Sequence, residues 1–235
     1  MSQNTYGYFK FCYITEFFTT YYVLRFFSSG NLVQLFDGNW GFLLDSGSYV
    51  MNIIPWNNSL FIISNDGFIK QTDRFLAVIQ QSSFQLSYPS TSDLYYSSNS
   101  DTLYVSNFRA QTIYMFQRNL TIYDNFTLPA LYNPTAINGY NDKIYVGTVD
   151  GLILLIVNKI IIQIISTYNS ILGINGIFVD AYGFIVPVSP TTLSLFYPNL
   201  TLTGLNISSN GGYGVGFDSN NRFVIVYRNY LYFYY

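Results

Sequence analysis

The stretch NPTAINGYNDKIYVGTVDGLILLI, residues 133–156, decides the fold. A short apolar strand follows Pro134 and breaks at Asn141-Asp142; the chain then resumes as KIYVG, turns at Asp150-Gly151 and continues as LILLI. Short runs of β-branched, aromatic and leucine residues bounded by Gly, Asn and Asp spell an antiparallel meander. Asp-Gly is a favoured pair for a two-residue type I′ hairpin turn. Beyond it, Asn158-Lys159 introduces KIIIQII (159–165) as a fourth strand. The apolar window Leu152 to Ile165 has only 14 residues, short of the roughly 20 of a helical membrane span. It reads as two strands joined by a tight turn.

The unit recurs. Apolar second strands TYYVL, SLFII, TLYVS, KIYVG, GFIVP and RFVIV centre on Tyr22, Phe61, Tyr104, Tyr145, Ile185 and Val224, with spacings of 39, 43, 41, 40 and 39 residues. About ten residues before each lies another strand: FKFCYI weakly, then YVMNII, DLYYS, PTAIN, GIFVD and YGVGF. After each comes a third, namely NLVQLF, FIKQT, TIYMF, LILLI, TLSLF and YLYFY. Most units close on a fourth strand, in FLAVI, LTIYDNF, KIIIQII and LTLTGL. Four strands per forty-residue unit is the signature of a propeller blade; a β-sandwich or β-solenoid explains the turn positions less well. The expected fold is all-β, a six-bladed β-propeller forming one domain over residues 1–235. The last unit ends after its third strand, so residues around Tyr6 to Phe9 are expected to pair with Tyr230–Tyr235 and close the ring. If the first forty residues form something else, the ring has five blades.

The pattern resembles NHL-type repeats, carried best by residues 133–156 and by DLYYSSNSDTLYVSNFRAQTIYMF at 93–116. The Asn-His-Arg element of that family is absent, replaced by Phe108-Arg109-Ala110 in one unit. The resemblance implies a six-bladed propeller that acts as a binding platform.

Composition narrows function mainly by exclusion. Net charge is −2, from 10 basic and 12 acidic residues, and the six Arg are scattered, so no basic face for nucleic acid is expected. Without His, and with Cys12 as the sole cysteine, the chain lacks Ser-His-Asp and Cys-His pairs, His-containing zinc sites and an internal disulfide. Some six-bladed propellers are lactonase-type or strictosidine-synthase-like enzymes with Glu, Asp, Asn or His at the channel mouth. Here the only Glu is Glu16, and no spaced carboxylate loop occurs. Asn52, Asn138, Asn175, Asp180 and Asp218 are candidate channel residues, with Asp180 and Asp218 reading as turn caps. No metal or cofactor is expected. The sequons at Asn57, Asn119, Asn125, Asn199 and Asn206 occur at about the frequency that the Asn, Ser and Thr content gives by chance.

Only 9% of residues are charged, against about 25% in average soluble domains. Solubility then rests on Asn, Ser, Thr, Gln and Tyr, whose charge state is constant through mildly acidic and neutral pH. This Tyr- and Asn-rich, Lys-poor balance resembles exterior proteins of acidophilic archaea and structural proteins of their viruses. No secretory signal pattern is visible in MSQNTYGYFKF. The expected function is therefore a non-enzymatic propeller in a virion or surface assembly, localised to the virion or extracellular surface and contacting protein or glycan. The alternatives are a cytoplasmic NHL-type scaffold and a calcium-dependent lactonase-like hydrolase. Trp56 with Asn57 and Asn58, and Tyr140 with Asn141, are the expected binding residues, on turns at one end of the propeller. The nearly uncharged KIIIQII strand reads as an edge that is covered, by neighbouring blades or by another subunit.

Overall fold

The structure is a computed structural model. It describes residues 14–17, 20–26, 32–36, 40–44, 50–56, 59–64, 66–73, 77–89, 92–167, 173–174, 176–180, 182–189, 192–208, 215–217, 223–227 and 230–234, with side chains described for most of residues 52–204.

Among the described residues the strands form six antiparallel sheets, each a meander bonded in chain order. The first sheet comprises β1 (Ile14–Phe17), β2 (Thr20–Phe26), β3 (Leu32–Phe36) and β4 (Trp40–Leu44). The second holds β5 (Val50–Trp56), β6 (Ser59–Ser64), β7 (Phe68–Asp73) and β8 (Val78–Gln85). The third holds β9 (Leu94–Ser97), β10 (Thr102–Asn107), β11 (Thr112–Phe116) and β12 (Ile122–Thr127). The fourth holds β13 (Pro134–Tyr140), β14 (Lys143–Thr148), β15 (Leu152–Val157) and β16 (Ile160–Ser166). The fifth holds β17 (Gly176–Val179), β18 (Ile185–Val188), β19 (Thr192–Phe196) and β20 (Leu202–Ser208); the sixth has β21 (Val215–Phe217), β22 (Phe223–Tyr227) and β23 (Tyr230–Tyr234). All six repeat anchors fall in the second strand of their sheet. No helix among the described residues is long and apolar enough to cross a membrane.

The first strands run side by side, β5 next to β9, β9 next to β13, β13 next to β17 and β17 next to β21. The sheets consequently stack face to face like blades. Alternation along a second strand then buries both of its faces: Leu103 and Val105 pack toward the second sheet, while Tyr104 packs toward the fourth. Likewise Val146 meets the third sheet and Tyr145 the fifth. A strand buried on both faces needs apolar residues at every position, which is why these strands read as continuous apolar runs. Outer strands are half exposed and alternate, as in the rhythm of partly buried and exposed positions along β12 and β16.

Several details depart from expectation. The Asp66-Gly67 and Asp150-Gly151 turns are not type I′, because only the glycines have positive φ, +85° and +74°. Each is a three-residue connection closed by a bond from the glycine N–H, Gly67 to the Ser64 carbonyl at 2.8 Å and Gly151 to the Thr148 carbonyl at 3.1 Å. Neither Asp is at positive φ, so the left-handed residue is the glycine alone. The true two-residue turn is Asn158-Lys159, both at positive φ. The first unit's inner strand is described from Ile14 to Phe17, FKFCYI before Ile14 lying outside the described residues, and β8 extends to Gln85 beyond FLAVI. Tyr6–Phe9, the expected ring-closing segment, lies outside the described residues.

The outer edges are broken by register shifts, between Met115 and Phe116 against β12 and between Leu155 and Ile156 against β16. Such bulges twist an edge away from further pairing. Within this chain the KIIIQII strand is only partly covered: Ile160, Ile162 and Ile164 are exposed at 65%, 57% and 43%. The shift turns Ile161 toward the third sheet and Ile165 toward the fifth.

Candidate functional site

A meander places its turns at two ends. At one end lie the first-to-second and third-to-fourth strand turns. At the other lie the second-to-third turns and the links from each sheet to the next, where the inner strands begin.

The inner-strand end is tied together by Asp93, the residue before β9, which is 2% exposed. Its carboxylate accepts the Asn52 amide from β5, the Ile137 N–H of β13 at 2.8 Å and its neighbour Leu94 N–H at 2.9 Å. One side chain thereby links three consecutive sheets. Its backbone N–H donates to Ser106 Oγ at 2.9 Å. The series continues with Thr135 Oγ1 donating to the Ile174 carbonyl and Asn138 Nδ2 to the Ile177 carbonyl at 2.9 Å. A carboxylate surrounded by donors is held where a chain carbonyl would leave some of them unmet.

The loop leading into Asp93 carries Tyr88, and the turn between β10 and β11 carries Arg109. Arg109 Nη1 donates to the Tyr88 phenol oxygen, and the guanidinium carbon lies 4.7 Å from the Tyr88 ring centroid. Tyr88 is 41% exposed. Both supports are ordered by their own bonds. Ser92 Oγ donates to the Tyr88 carbonyl at 2.9 Å, beside the anchored Asp93. On the other side Asn107 Oδ1 accepts the Ala110 N–H at 3.2 Å, and Gln111 Nε2 reaches the Ala130 carbonyl at 2.7 Å and Asn133 Oδ1 at 2.9 Å. Exposed Leu131 and Val149 lie on neighbouring connections at this end.

The residues singled out from sequence stand at the opposite end. Trp56 ends β5 opposite Ser59, and Asn57 and Asn58 lie outside the described residues. Tyr140 ends β13 half-buried; its ring sits so close to Gly183 that a Cβ there would meet it at 2.7 Å. Asn141 is exposed at φ +54°. The third sheet separates these two turns. Asp180 caps its turn, Oδ1 accepting Tyr182 N–H at 2.9 Å and Phe184 N–H at 2.7 Å. Asn175 and Asp218 lie outside the described residues. Two sequons prove to be turn devices: Asn119 Oδ1 accepts Thr121 N–H and Asn199 Oδ1 accepts Thr201 N–H, each at 3.1 Å. Sequence reasoning missed Asp93 and Tyr88; the replacement of an Asn-His-Arg element by Phe108-Arg109-Ala110 was the one available signal for Arg109.

Burial sets the titration behaviour. Burial pushes the Tyr145 phenol up to about 12 and also raises Tyr95 and Tyr104; Tyr145 donates to the Pro198 carbonyl at 3.1 Å. The Lys159 ammonium, hydrogen-bonded to Asp124, holds that carboxyl below its ordinary value. Among the described residues no three His, Cys, Asp or Glu gather into a group able to hold a metal ion.

No protein-family model and no curated protein sequence matches the chain. Among solved structures it is similar to a virginiamycin B lyase from Staphylococcus aureus, a catalytically inactive His-to-Ala variant bound to quinupristin. The TM-score is 0.71 at 12% identity, over 96% of this chain and 79% of the lyase. A streptogramin B lyase matches with TM-score 0.67 at 11% identity, over 94% of this chain and 91% of that one. The fold is thereby a β-propeller. The expected non-enzymatic attachment component is corrected here, because these two solved structures are lyases; neither points to an NHL-type protein or to a virion. The physical reason is that a weakly charged surface and the lack of His remove imidazole chemistry only. They leave phenol, guanidinium and carboxylate groups at the inner-strand end.

Proposed function

We propose that this chain is a single six-bladed, lyase-like propeller, its ring closed by residues preceding β1 pairing with β23, that takes a small molecule at the inner-strand end. The observation that carries the reading is the fixed Tyr88–Arg109 pair at that end, in a fold shared with two lyases. Fold alone hosts many functions, so the weight falls on the site. A phenol and a guanidinium at an end that also carries exposed Leu131 and Val149 suit a compact, largely uncharged organic ligand.

The chemistry differs from that of the solved Staphylococcus aureus protein. There, replacing one histidine by alanine gives a catalytically inactive enzyme, whereas this chain has no histidine. Any proton transfer has to run through another group. The test is to incubate the protein with quinupristin in ¹⁸O-water and follow the compound by mass spectrometry. A lyase-like reaction consumes it without ¹⁸O at the broken bond. Incorporation of ¹⁸O assigns hydrolysis, and unchanged quinupristin argues against the reading.

A further inference from the structure

We propose that the end of the propeller opposite the inner-strand end carries a separate binding surface, on which a neutral saccharide stacks against Tyr182 and Tyr197 while Asn141 and Asn199 bond its hydroxyls. Turns of the fourth and fifth sheets converge there. The β17–β18 turn brings Tyr182, Gly183 and Phe184, the β19–β20 turn brings Tyr197 to Asn199, and the β13–β14 turn brings Asn141 next to Tyr140. Gly183 is buried at their junction: a Cβ on it would meet the Tyr140 ring at 2.7 Å and Pro198 Cγ at 3.1 Å. Phe184 and Tyr197 pack with ring centroids 5.3 Å apart.

Both stacking residues remain open to solvent. Tyr182 is 69% exposed and Tyr197 46%, and neither phenol bonds to a protein group among the described residues. Their turns are fixed from below. Asp180 Oδ1 holds the N–H groups of Tyr182 and Phe184, and Gly183 N–H donates to the Asp180 carbonyl at 3.0 Å. Tyr197 N–H donates to the Thr201 carbonyl and Leu200 N–H to the Tyr197 carbonyl, both at 2.8 Å. The turn itself does not demand an aromatic residue. Residues 117–121 make the same Asn-Leu-Thr turn in the third sheet, with φ +58° at Leu120 against +62° at Leu200, and carry Gln117 where this one carries Tyr197.

The chemistry of the surface selects the partner. A rigid, exposed tyrosine offers a flat apolar face with a polar tip at little conformational cost. The C–H face of a sugar ring stacks on such a face, and its hydroxyls then need donors and acceptors beside it. Asn199 Oδ1 is taken by Thr201 N–H at 3.1 Å and Thr201 Oγ1 at 2.7 Å, which leaves Nδ2 as a donor. Asn141 is exposed and its amide has no protein partner among the described residues. Charge is not concentrated here: Asp142 is followed by Lys143, and the buried Asp180 is spent on its own turn. A neutral ligand fits that balance. A protein partner would need about 20–30 residues on this side, more than these turn tips present.

The experiment titrates the full chain with cellotetraose, chitotetraose and a galactose tetrasaccharide, following saturation transfer from protein to sugar by NMR, with melting temperature as a control. Wild type should bind at least one of them. Tyr182→Ala and Tyr197→Ala should each weaken that binding about tenfold, whereas Tyr182→Phe, which keeps the ring, should cost no more than about threefold. Tyr182→Ala should melt like wild type because the side chain is mostly exposed; if Tyr197→Ala melts lower through its lost contact with Phe184, Tyr182→Ala decides. No transfer to any of the three sugars overturns the proposal, and so does binding that Tyr182→Ala leaves intact.

Discussion

Replacing Asp93 by alanine should unfold the molecule more readily than any exposed substitution at the same end. The side chain is 2% exposed and meets donors from Asn52, Leu94 and Ile137. Alanine deprives all three of that acceptor in a buried setting, where each lost bond costs about 1–3 kcal/mol. Part of the loss is returned because a charge no longer has to be buried. The expected net cost is about 3–4 kcal/mol, close to breaking a buried ionic network by removing one partner. Asp93→Asn should cost about 2 kcal/mol, since its amide group turns a donor toward one of the original donors. Urea unfolding at neutral pH, followed by tyrosine and tryptophan fluorescence, gives the midpoint and slope. A double-mutant cycle with Asn52→Ala should show coupling of about 1 kcal/mol or more. A loss below about 1 kcal/mol for Asp93→Ala at unchanged slope would refute the claim that this carboxylate ties three sheets.

Three further outcomes follow from individual contacts. Gly67→Ala should lower stability by about 2 kcal/mol or more, because φ is +85° and the added Cβ would sit 2.4 Å from the Leu86 carbonyl oxygen; an unchanged urea midpoint would contradict the turn geometry. Thr72→Val should raise stability by about 1 kcal/mol, since Thr72 Oγ1 is buried with no hydrogen-bond partner; a lower midpoint would show that the hydroxyl is satisfied. Tyr145, raised to about 12 by burial, ionises more easily in the unfolded chain, so stability should be intact below about pH 10 and fall steadily from there toward pH 12. Urea titrations across that range, with Tyr145→Phe flattening the fall, check the sign; a slope that is the same in the variant would reject it.

The blades were legible because their cause is local. KIYVG and TLYVS are apolar at successive positions since Tyr145 and Val146, or Leu103 and Tyr104, pack on opposite neighbouring sheets, and that demand recurs every forty residues. Turn type was less legible: Asp-Gly is compatible both with a two-residue turn and with a bulged three-residue one, and only the strand ends at Ser64 and Phe68 distinguish them. The functional end was least legible. Asp93 owes its role to partners 41 and 44 residues away, and Tyr88 meets Arg109 across 21 residues with no motif joining them. The attachment reading drew on surface composition, which reports on solvent and says little about which loop faces a substrate.

The central claim is that the ligand sits where the inner strands begin. Hydrogen exchange with and without quinupristin measures this directly. The account predicts slowed exchange at residues 86–89, 108–111 and 128–133, with residues 140–142 and 196–201 unchanged. Protection confined to the latter segments, or none at either end, would contradict it.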